Sequence, residues 1–321
     1  MTATDISVDS AHGPTEKEIL MRVFVTGASG WIGSAVVSEL LEAGHEVVGL
    51  ARTDLAVAAL TAAGATARRG SLDDLDSLRA GAEGSDAVIH LAYKHDFSDM
   101  AGAARSERAA IETFGDALAG SDRPFLFASG VAGLAPGRVA TERDVVPWAG
   151  PDAPRGGAES LAFEYAERGV RSVSLRFAPT VHGDGDHGFI STIVGVARAK
   201  GASGYVGDGS SRWPAVHRLD AARMIRLALE TAPAGSIVHG VGEEGIAART
   251  IAEIIGRHLD VPVVSVAPED AAAHFGWIGA FFALDIPASS LLTQEMLGWT
   301  PTHPGLAEDL EAGYYFRSAV R

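Results

Sequence analysis

The chain reads as an α/β fold, a doubly wound parallel sheet with a smaller C-terminal α/β lobe. Three observations predict it. Short apolar runs alternate with helix-period segments from residue 21 onward, the order that builds a parallel sheet from βαβ units. The first strand-to-helix turn carries Gly27, Gly30 and Gly33. The chain has 321 residues, 47% of them hydrophobic, enough to bury a sizeable core.

The first βαβ unit spans residues 21–52. Val23, Phe24 and Val25 form an apolar β-type run, which breaks into Gly27-Ala28-Ser29-Gly30-Trp31-Ile32-Gly33. Ile32, Val36, Leu40 and Leu41 then recur at helical spacing, Gly44 ends that helix, and residues 46–50 form a second buried-type strand. Glycine serves such a turn in three ways: a tight bend, close approach of backbone to a pyrophosphate, and close packing of helix on strand. The helix N-terminus adds free N–H groups and a partial positive charge. This is a dinucleotide-binding, Rossmann-type arrangement, with Gly27, Ser29, Gly30, Trp31, Ile32 and Gly33 as the expected pyrophosphate cradle.

Composition narrows the function. A net charge of −15 argues against nucleic-acid or anionic-membrane partners. With no cysteine there is no disulfide, thiolate metal site or cysteine nucleophile. No apolar run approaches the length of a membrane span. Residues 1–20 lack the basic start and apolar core of a signal peptide and read as a flexible acidic tail, so a cytoplasmic location is expected. Met21 directly precedes the first strand and is an alternative start.

Thr26 and the G-x-x-G-x-x-G spacing resemble the extended branch of the short-chain dehydrogenase/reductase family, which is epimerase/dehydratase-like. The resemblance runs over nearly the whole chain from Met21. After the second strand, Ala51 stands where an acidic residue would favour NAD, with Arg52 and Thr53 beside it and Asp54 in the next helix. An arginine there accommodates a 2′-phosphate, so NADP is expected over NAD. A helix over 55–63 and a strand over 67–69 follow. Ser71-Leu72 in GSLDD resembles the family's adenine-flanking turn, and Ser71-x-x-Asp74 also reads as a capping box for a helix to Ala80. The strand over 87–92 resembles the family's "HLAA", placing Leu91 and Ala92 beneath the nicotinamide ribose. Tyr93, Lys94, His95 and Asp96 empty from it into the ligand crevice. Asp96 or Ser98 is the expected cap of a helix over 99–120, which could form part of a homodimer surface.

A strand over 124–129 ends at Ser129. The family's substrate-orienting serine falls on Gly130 in the simplest alignment and on Ser129 after a one-residue shift. Residues 133–157 form a long loop with Pro136, Pro147, Pro151 and Pro154, and with Trp148 as a substrate-facing aromatic. The family's Tyr-x-x-x-Lys pair should open the helix over 158–168, but Pro151 and Arg155 occupy its places when Glu159 is aligned. Arg155 could still bring charge to the ribose. The resemblance is therefore to atypical members that keep the cofactor motif and lose the catalytic pair. Residues 173–177 form the sixth strand. Leu175 to Gly183 resembles the family's "LRPGNVYG", which puts Pro179 at the nicotinamide face and His182 in place of a tyrosine. His182, Asp184, Asp186 and His187 crowd one glycine-rich loop, too tightly for convergent metal ligands, and no metal is expected.

The division anticipated is a tail (1–20), an NADP-binding domain (21–178) and an interleaved substrate lobe (179–321). The lobe should hold helices over 190–200, 221–230 and 251–259 and strands over 204–206, 237–239 and 261–266, with a further helix start at 268–270. Arg212 to Asp220 resembles the family's element that flanks the substrate pocket, which implies that Arg212 binds an anionic substrate or the cofactor pyrophosphate, and Asp220 is the expected cap of the helix after it. Phe275, Trp277, Phe281 and Phe282 read as packing aromatics, with a substrate wall as the alternative, and Leu297-Gly298-Trp299-Thr300-Pro301 resembles the family's closing element. The functional expectation is an NADP-dependent oxidoreductase acting on a small carbonyl or alcohol. Tyr93, His95 or His182 would give the proton, Ser129 would orient the oxygen, and Lys94 would help electrostatically. A sugar-nucleotide epimerase or dehydratase and a non-catalytic NADP-binding sensor are the alternatives.

Overall fold

A computed structural model describes residues 20–94, 99–146 and 148–317. His95, Asp96, Ser98 and Pro147 lie outside the described residues, as does the tail up to residue 19. The first half alternates strand and helix: β1 (Arg22–Thr26), α1 (Trp31–Glu42), β2 (Glu46–Ala51), α2 (Asp54–Ala62), β3 (Thr66–Arg69), α3 (Leu75–Glu83), β4 (Ala87–His90), α4 (Met100–Leu118) and β5 (Pro124–Gly130). After the long loop come α5 (Ala158–Ala166) and β6 (Arg171–Phe177). The second half holds β7 (Thr180–His182), α6 (Phe189–Lys200), β8 (Ser203–Val206), β9 (Arg212–His217), α7 (Arg218–Thr231), β10 (Ser236–Gly240), β11 (Glu243–Ala247), α8 (Ala248–Leu259) and β12 (Val263–Val266). Short helices α9 (Ala271–Phe275), α10 (Gly279–Phe282), α11 (Leu291–Leu297) and α12 (Leu306–Glu311) close the chain.

The central sheet is parallel throughout, in the order β10-β6-β5-β4-β1-β2-β3. Its strands are buried on both faces because helices cover both. Side-chain alternation along β1 divides the layers: Val23 and Val25 join the core under α1 and α7, while Phe24 joins the one under α3, α4 and α5. The chain leaves β1 toward β2 and β3 on one side and returns through β4 on the other, so the crevice opens at the carboxyl ends of β1 and β4. The lobe has its own core, in which Trp213 and Phe282 pack edge to face against each other at 5.4 Å. The sheet also takes its edge strand β10 from beyond residue 178. Among the described residues no helix is long and apolar enough to cross a membrane.

Local differences from expectation have tertiary causes. Helix α3 starts later than a cap at Ser71 would place it: Asp74 is the N-cap, accepting from Ser77 N, and Ser71 Oγ accepts from Asp73 N. Asp99 caps α4 by accepting from Gly102 N. Asp220 caps nothing. His217 Nδ1 accepts from Leu219 N at the start of α7, while the buried Asp220 carboxylate takes the Thr302 and His303 N–H groups. Strands β7 and β11 were not anticipated. One is very short, and the other carries Glu243, Glu244 and Gly245.

The long loop and β6 meet at a buried ion pair. Arg176, fully buried, donates to Glu159 Oε1 at 2.5 Å and to the Asp144 carbonyl at 2.8 Å, and Ser174 donates to Glu159 Oε2 at 2.6 Å. Burial opposes the Glu159 charge, yet these donors hold its carboxyl below the usual glutamate value of 4.5. Breaking such a pair leaves an uncompensated buried charge. Glu159→Ala should cost about 3–5 kcal/mol in denaturant unfolding. Because the folded carboxyl titrates below the unfolded one, the wild-type advantage should be full above pH 4.5 and disappear as the pH falls below it.

Candidate active site

The glycine turn is built by backbone pressed on backbone. Gly27 has φ +69°, and a Cβ there would lie 2.8 Å from Ala92 N. A Cβ on Gly33 would lie 2.0 Å from the Gly27 carbonyl oxygen. Gly30 is less crowded: its backbone is extended, and a Cβ would meet only the Gly27 oxygen, at a tight 3.1 Å. No side chain caps α1 and its first turn has no acid, which leaves the helix N-terminus available to an anion.

A cavity of about 1030 Å³ runs from this turn across the sheet ends. Gly27, Ser29, Gly30, Trp31, Ile32, Gly33, Arg52, Thr53, Ser71, Leu72, Leu91, Ala92 and Pro179 all line it, as do Tyr93 and Lys94. Past β2, Arg52 stands exposed. Thr53 caps α2, and Asp54 pairs outward with Arg69, leaving no carboxylate from that strand end in the crevice. Lys94 Nζ lies 2.6 Å from Asp73 Oδ1, and that bond, the largest influence, helps hold the Asp73 carboxyl below its usual value. Lys94 therefore sits against the turn of Ser71 and Leu72, a placement that corrects its expected helper role beside a reacting carbonyl.

Tyr93 has a built surround. Burial raises its hydroxyl above the usual 10.0, partly offset by Arg155, whose guanidinium lies 4.6 Å from the ring centroid. Arg155 donates to Glu107 Oε1 at 2.7 Å. Glu107 is fully buried on α4; burial opposes its charge, but Arg155 and His90 keep the carboxyl low. His90 Nε2 lies 3.5 Å from Glu107 Oε2, and His90 Nδ1 is 2.6 Å from Thr26 Oγ1. The expectation that Arg155 reaches the ribose is corrected accordingly: Arg155 is not among the cavity walls, and its charge acts on Tyr93. Its φ of 55° is left-handed, a region that costs a non-glycine residue.

Three further expectations change. Ser129 donates to Glu159 and is not a cavity wall. His182 is buried on β7 with Nδ1 2.5 Å from Asp309 Oδ2; Thr180 and Val181 line the cavity and His182 does not. Trp148 packs beside Gly133. Conversely, Asp186, His187, Phe189 and Thr192 are walls that the sequence reading had not assigned to this role, and Phe177 and Trp277 line the cavity as well. Asp186 accepts from Tyr315 Oη at 2.8 Å and from Gly188 N at 2.7 Å, and burial pushes its carboxyl up. Elsewhere, ligand atoms of His217, Asp220 and His303 lie within 4.8 Å of one another. The two imidazoles are stacked at 4.7 Å and 8°, so their in-plane lone pairs do not converge on one ion.

A parallel sheet with a glycine cradle and a long crevice at its switch point defines a nucleotide-cofactor protein of the Rossmann type. Residues 23–239 match the NAD dependent epimerase/dehydratase family, and the chain belongs to that family. It is 49% identical over 297 residues to an uncharacterized protein, C2A9.02, of Schizosaccharomyces pombe, covering 92% of this chain and 100% of that one. It is 27% identical over 270 residues to a 4-hydroxy-2-methyl-3-oxo-4-farnesyl-3,4-dihydroquinoline-1-oxide ketoreductase of Stigmatella aurantiaca, covering 80% of each. Among solved structures, the dTDP-glucose 4,6-dehydratase DesIV of Streptomyces venezuelae, with NAD and TYD bound, superposes with a TM-score of 0.72 at 24% identity, covering 92% of this chain and 97% of that one.

The two glycines should separate binding from folding. Gly30→Ala should fold with at most a small loss of thermal stability and lose nicotinamide-dinucleotide affinity in a titration. Gly33→Ala should lower the melting temperature sharply, because backbone must move to admit the methyl group.

Proposed function

We propose that this protein is an NADP-dependent carbonyl reductase in which Tyr93 supplies the proton. The observation that carries the reading is the Tyr93–Arg155–Glu107 assembly: a tyrosine on the cavity wall, with a cation over its ring that is itself held by a buried carboxylate. It brings a phenol and a positive charge together without the Tyr-x-x-x-Lys sequence. The cradle fits a dinucleotide: glycines at the turn, an uncapped helix N-terminus and a cavity of about 1030 Å³ beside them. Gly27, Ser29, Gly30, Trp31, Ile32 and Gly33 would hold the pyrophosphate, Ser71 and Leu72 the adenine, and Leu91, Ala92 and Pro179 the nicotinamide. The bound cofactor would supply hydride. Tyr93 would then donate its hydroxyl proton to the oxygen as negative charge develops there.

The direction of the Tyr93 shift supports reduction. A phenol raised above 10.0 stays protonated at neutral pH and serves as an acid. Epimerisation would need the same group to remove a proton from an alcohol first, a task this shift opposes. The ketoreductase named on the Stigmatella relative supports the same chemistry.

Arg52 and Lys94 are the lysine and arginine side chains on the cavity wall among the described residues, and Arg52 is the one without a carboxylate in bonding distance. NADPH should bind more tightly than NADH, and Arg52→Ala should weaken NADPH by about 1.5–3 kcal/mol with little change for NADH. Parallel fluorescence titrations measure both; equal wild-type affinities would remove the NADP assignment.

The proton donor can be identified from a pH profile. With Tyr93 as the acid, kcat for reduction should hold level through neutral pH and fall only above 10.0. With His95 as the acid, it should decline as the pH rises through about 6.5. Tyr93→Phe should lower kcat at least about 10²-fold; a loss below about threefold would exclude Tyr93.

A further inference from the structure

The ion pairs of this chain are not alike. Arg212, expected to meet an anionic substrate or the pyrophosphate, pairs instead with Asp285, with Nη2 2.8 Å from Oδ2, and does not line the cavity. Both of those side chains are part exposed, and such a pair adds little. The pair of Arg155 and Glu107 is of another kind. Glu107 shares the buried face of α4 with Ala103, Ala110, Ile111 and Phe114 and is 1% exposed. A charge in such a place is costly unless other groups hold it.

The partners of His90 decide where its proton lies. Ala92 N donates to Thr26 Oγ1 at 3.2 Å, which leaves the Thr26 hydroxyl proton for His90 Nδ1 at 2.6 Å. A neutral His90 ring then carries its own proton on Nε2. That nitrogen faces Glu107 Oε2 at 3.5 Å, and among the described residues neither atom has a hydrogen bond elsewhere. Oε1 of the same carboxylate takes Arg155 Nη2 at 2.7 Å. Each oxygen is thus turned to a donor, the arrangement an anion needs.

Burial does most to keep the Tyr93 hydroxyl protonated, and the two charged groups that act on it among the described residues oppose each other. The Arg155 guanidinium over the ring draws the proton off, and the Glu107 carboxylate behind it holds the proton on.

We propose that Glu107 is a positioning residue that keeps the proton on Tyr93: it fixes Arg155 against the ring and cancels the charge Arg155 brings. The proposal rests on the reading of Tyr93 as proton donor for its catalytic meaning, while the charge balance is measured without a substrate. Glu107→Gln separates the two roles. The amide oxygen still accepts from Arg155, and the amide N–H groups face His90, which can exchange donor and acceptor roles with Thr26. Only the negative charge is lost.

The chain has five tyrosines, so Tyr93 is followed as the difference in ultraviolet absorbance between each full-length protein and its Tyr93→Phe counterpart. At pH 10.0 the ratio of phenolate to phenol at Tyr93 should be about tenfold higher in Glu107→Gln than in wild type. Arg155→Gln, which removes the cation and leaves the anion, should push ionisation of Tyr93 to higher pH than in wild type. It covers the case in which Glu107→Gln misfolds. An unchanged or lower ratio in folded Glu107→Gln would overturn the proposal, as would Arg155→Gln ionising at or below the wild-type pH. The expected ratios, found together with a Tyr93→Phe loss below about threefold in kcat, would keep the charge balance and sink the proton-donor reading.

Discussion

Where Gly33 meets the carbonyl of Gly27, the backbone of α1 rests on the turn that precedes it, at a distance no side chain tolerates. That contact fixes where α1 begins, and the start of α1 fixes much else. Trp31, its first residue, donates from Nε1 to the Val181 carbonyl at 2.7 Å, receives Arg218 on its face and meets the edge of His187. One indole thus joins the glycine turn to the strand and loop that carry the lobe wall. A shift of the turn would move the cradle and the lobe together, because the same helix end belongs to both.

Buried carboxylates do comparable work at the other chain crossings. Glu107 holds Arg155 under Tyr93, and Glu159 holds Arg176. Glu142 takes Thr293 N and Oγ1 at 2.7 and 2.6 Å, Asp220 takes residues 302 and 303, and Asp309 takes His182. The loop over 133–157 is poor in regular structure yet pinned at Glu142, Asp144 and Arg155. Each of these acids is desolvated, so each depends on its partner. Polar contacts across the crossings thereby set the geometry of segments that no sheet holds.

The strands and helices of the first half were legible because periodicity and glycine punctuation agree there. The cradle was legible because glycines at that spacing between a strand and a helix have a physical reason to exist. Cap assignments at Ser71 and Asp220 failed because neighbouring polar residues cap equally well in isolation, and only distant partners decide between them. His182 could not be placed because its partner, Asp309, lies far along the chain and only the tertiary structure brings the two together. Glu107 lies in MAGAARSERAA and reads as a surface charge by composition. Its spacing to Ala110, Ile111 and Phe114 places it on the buried face of α4, a signal that would have found it. Arg155 could be marked from sequence only as a substitute for a lysine. That it serves a tyrosine in the loop after β4 is a matter of tertiary structure.

Arg155 occupies a backbone conformation that glycine would adopt without strain. Its guanidinium meets the Glu107 carboxylate and the Tyr93 ring at a cost of about 1 kcal/mol or more in backbone energy. Two kinds of selection would therefore pull this position apart. A population of variants enriched only for resistance to heat or protease would drift toward glycine here, since the strain is relieved at once. A population enriched for turnover would keep arginine and accumulate its stabilising changes elsewhere. Sequencing both populations at this single codon would report what the arginine is retained for, without any substrate having been identified.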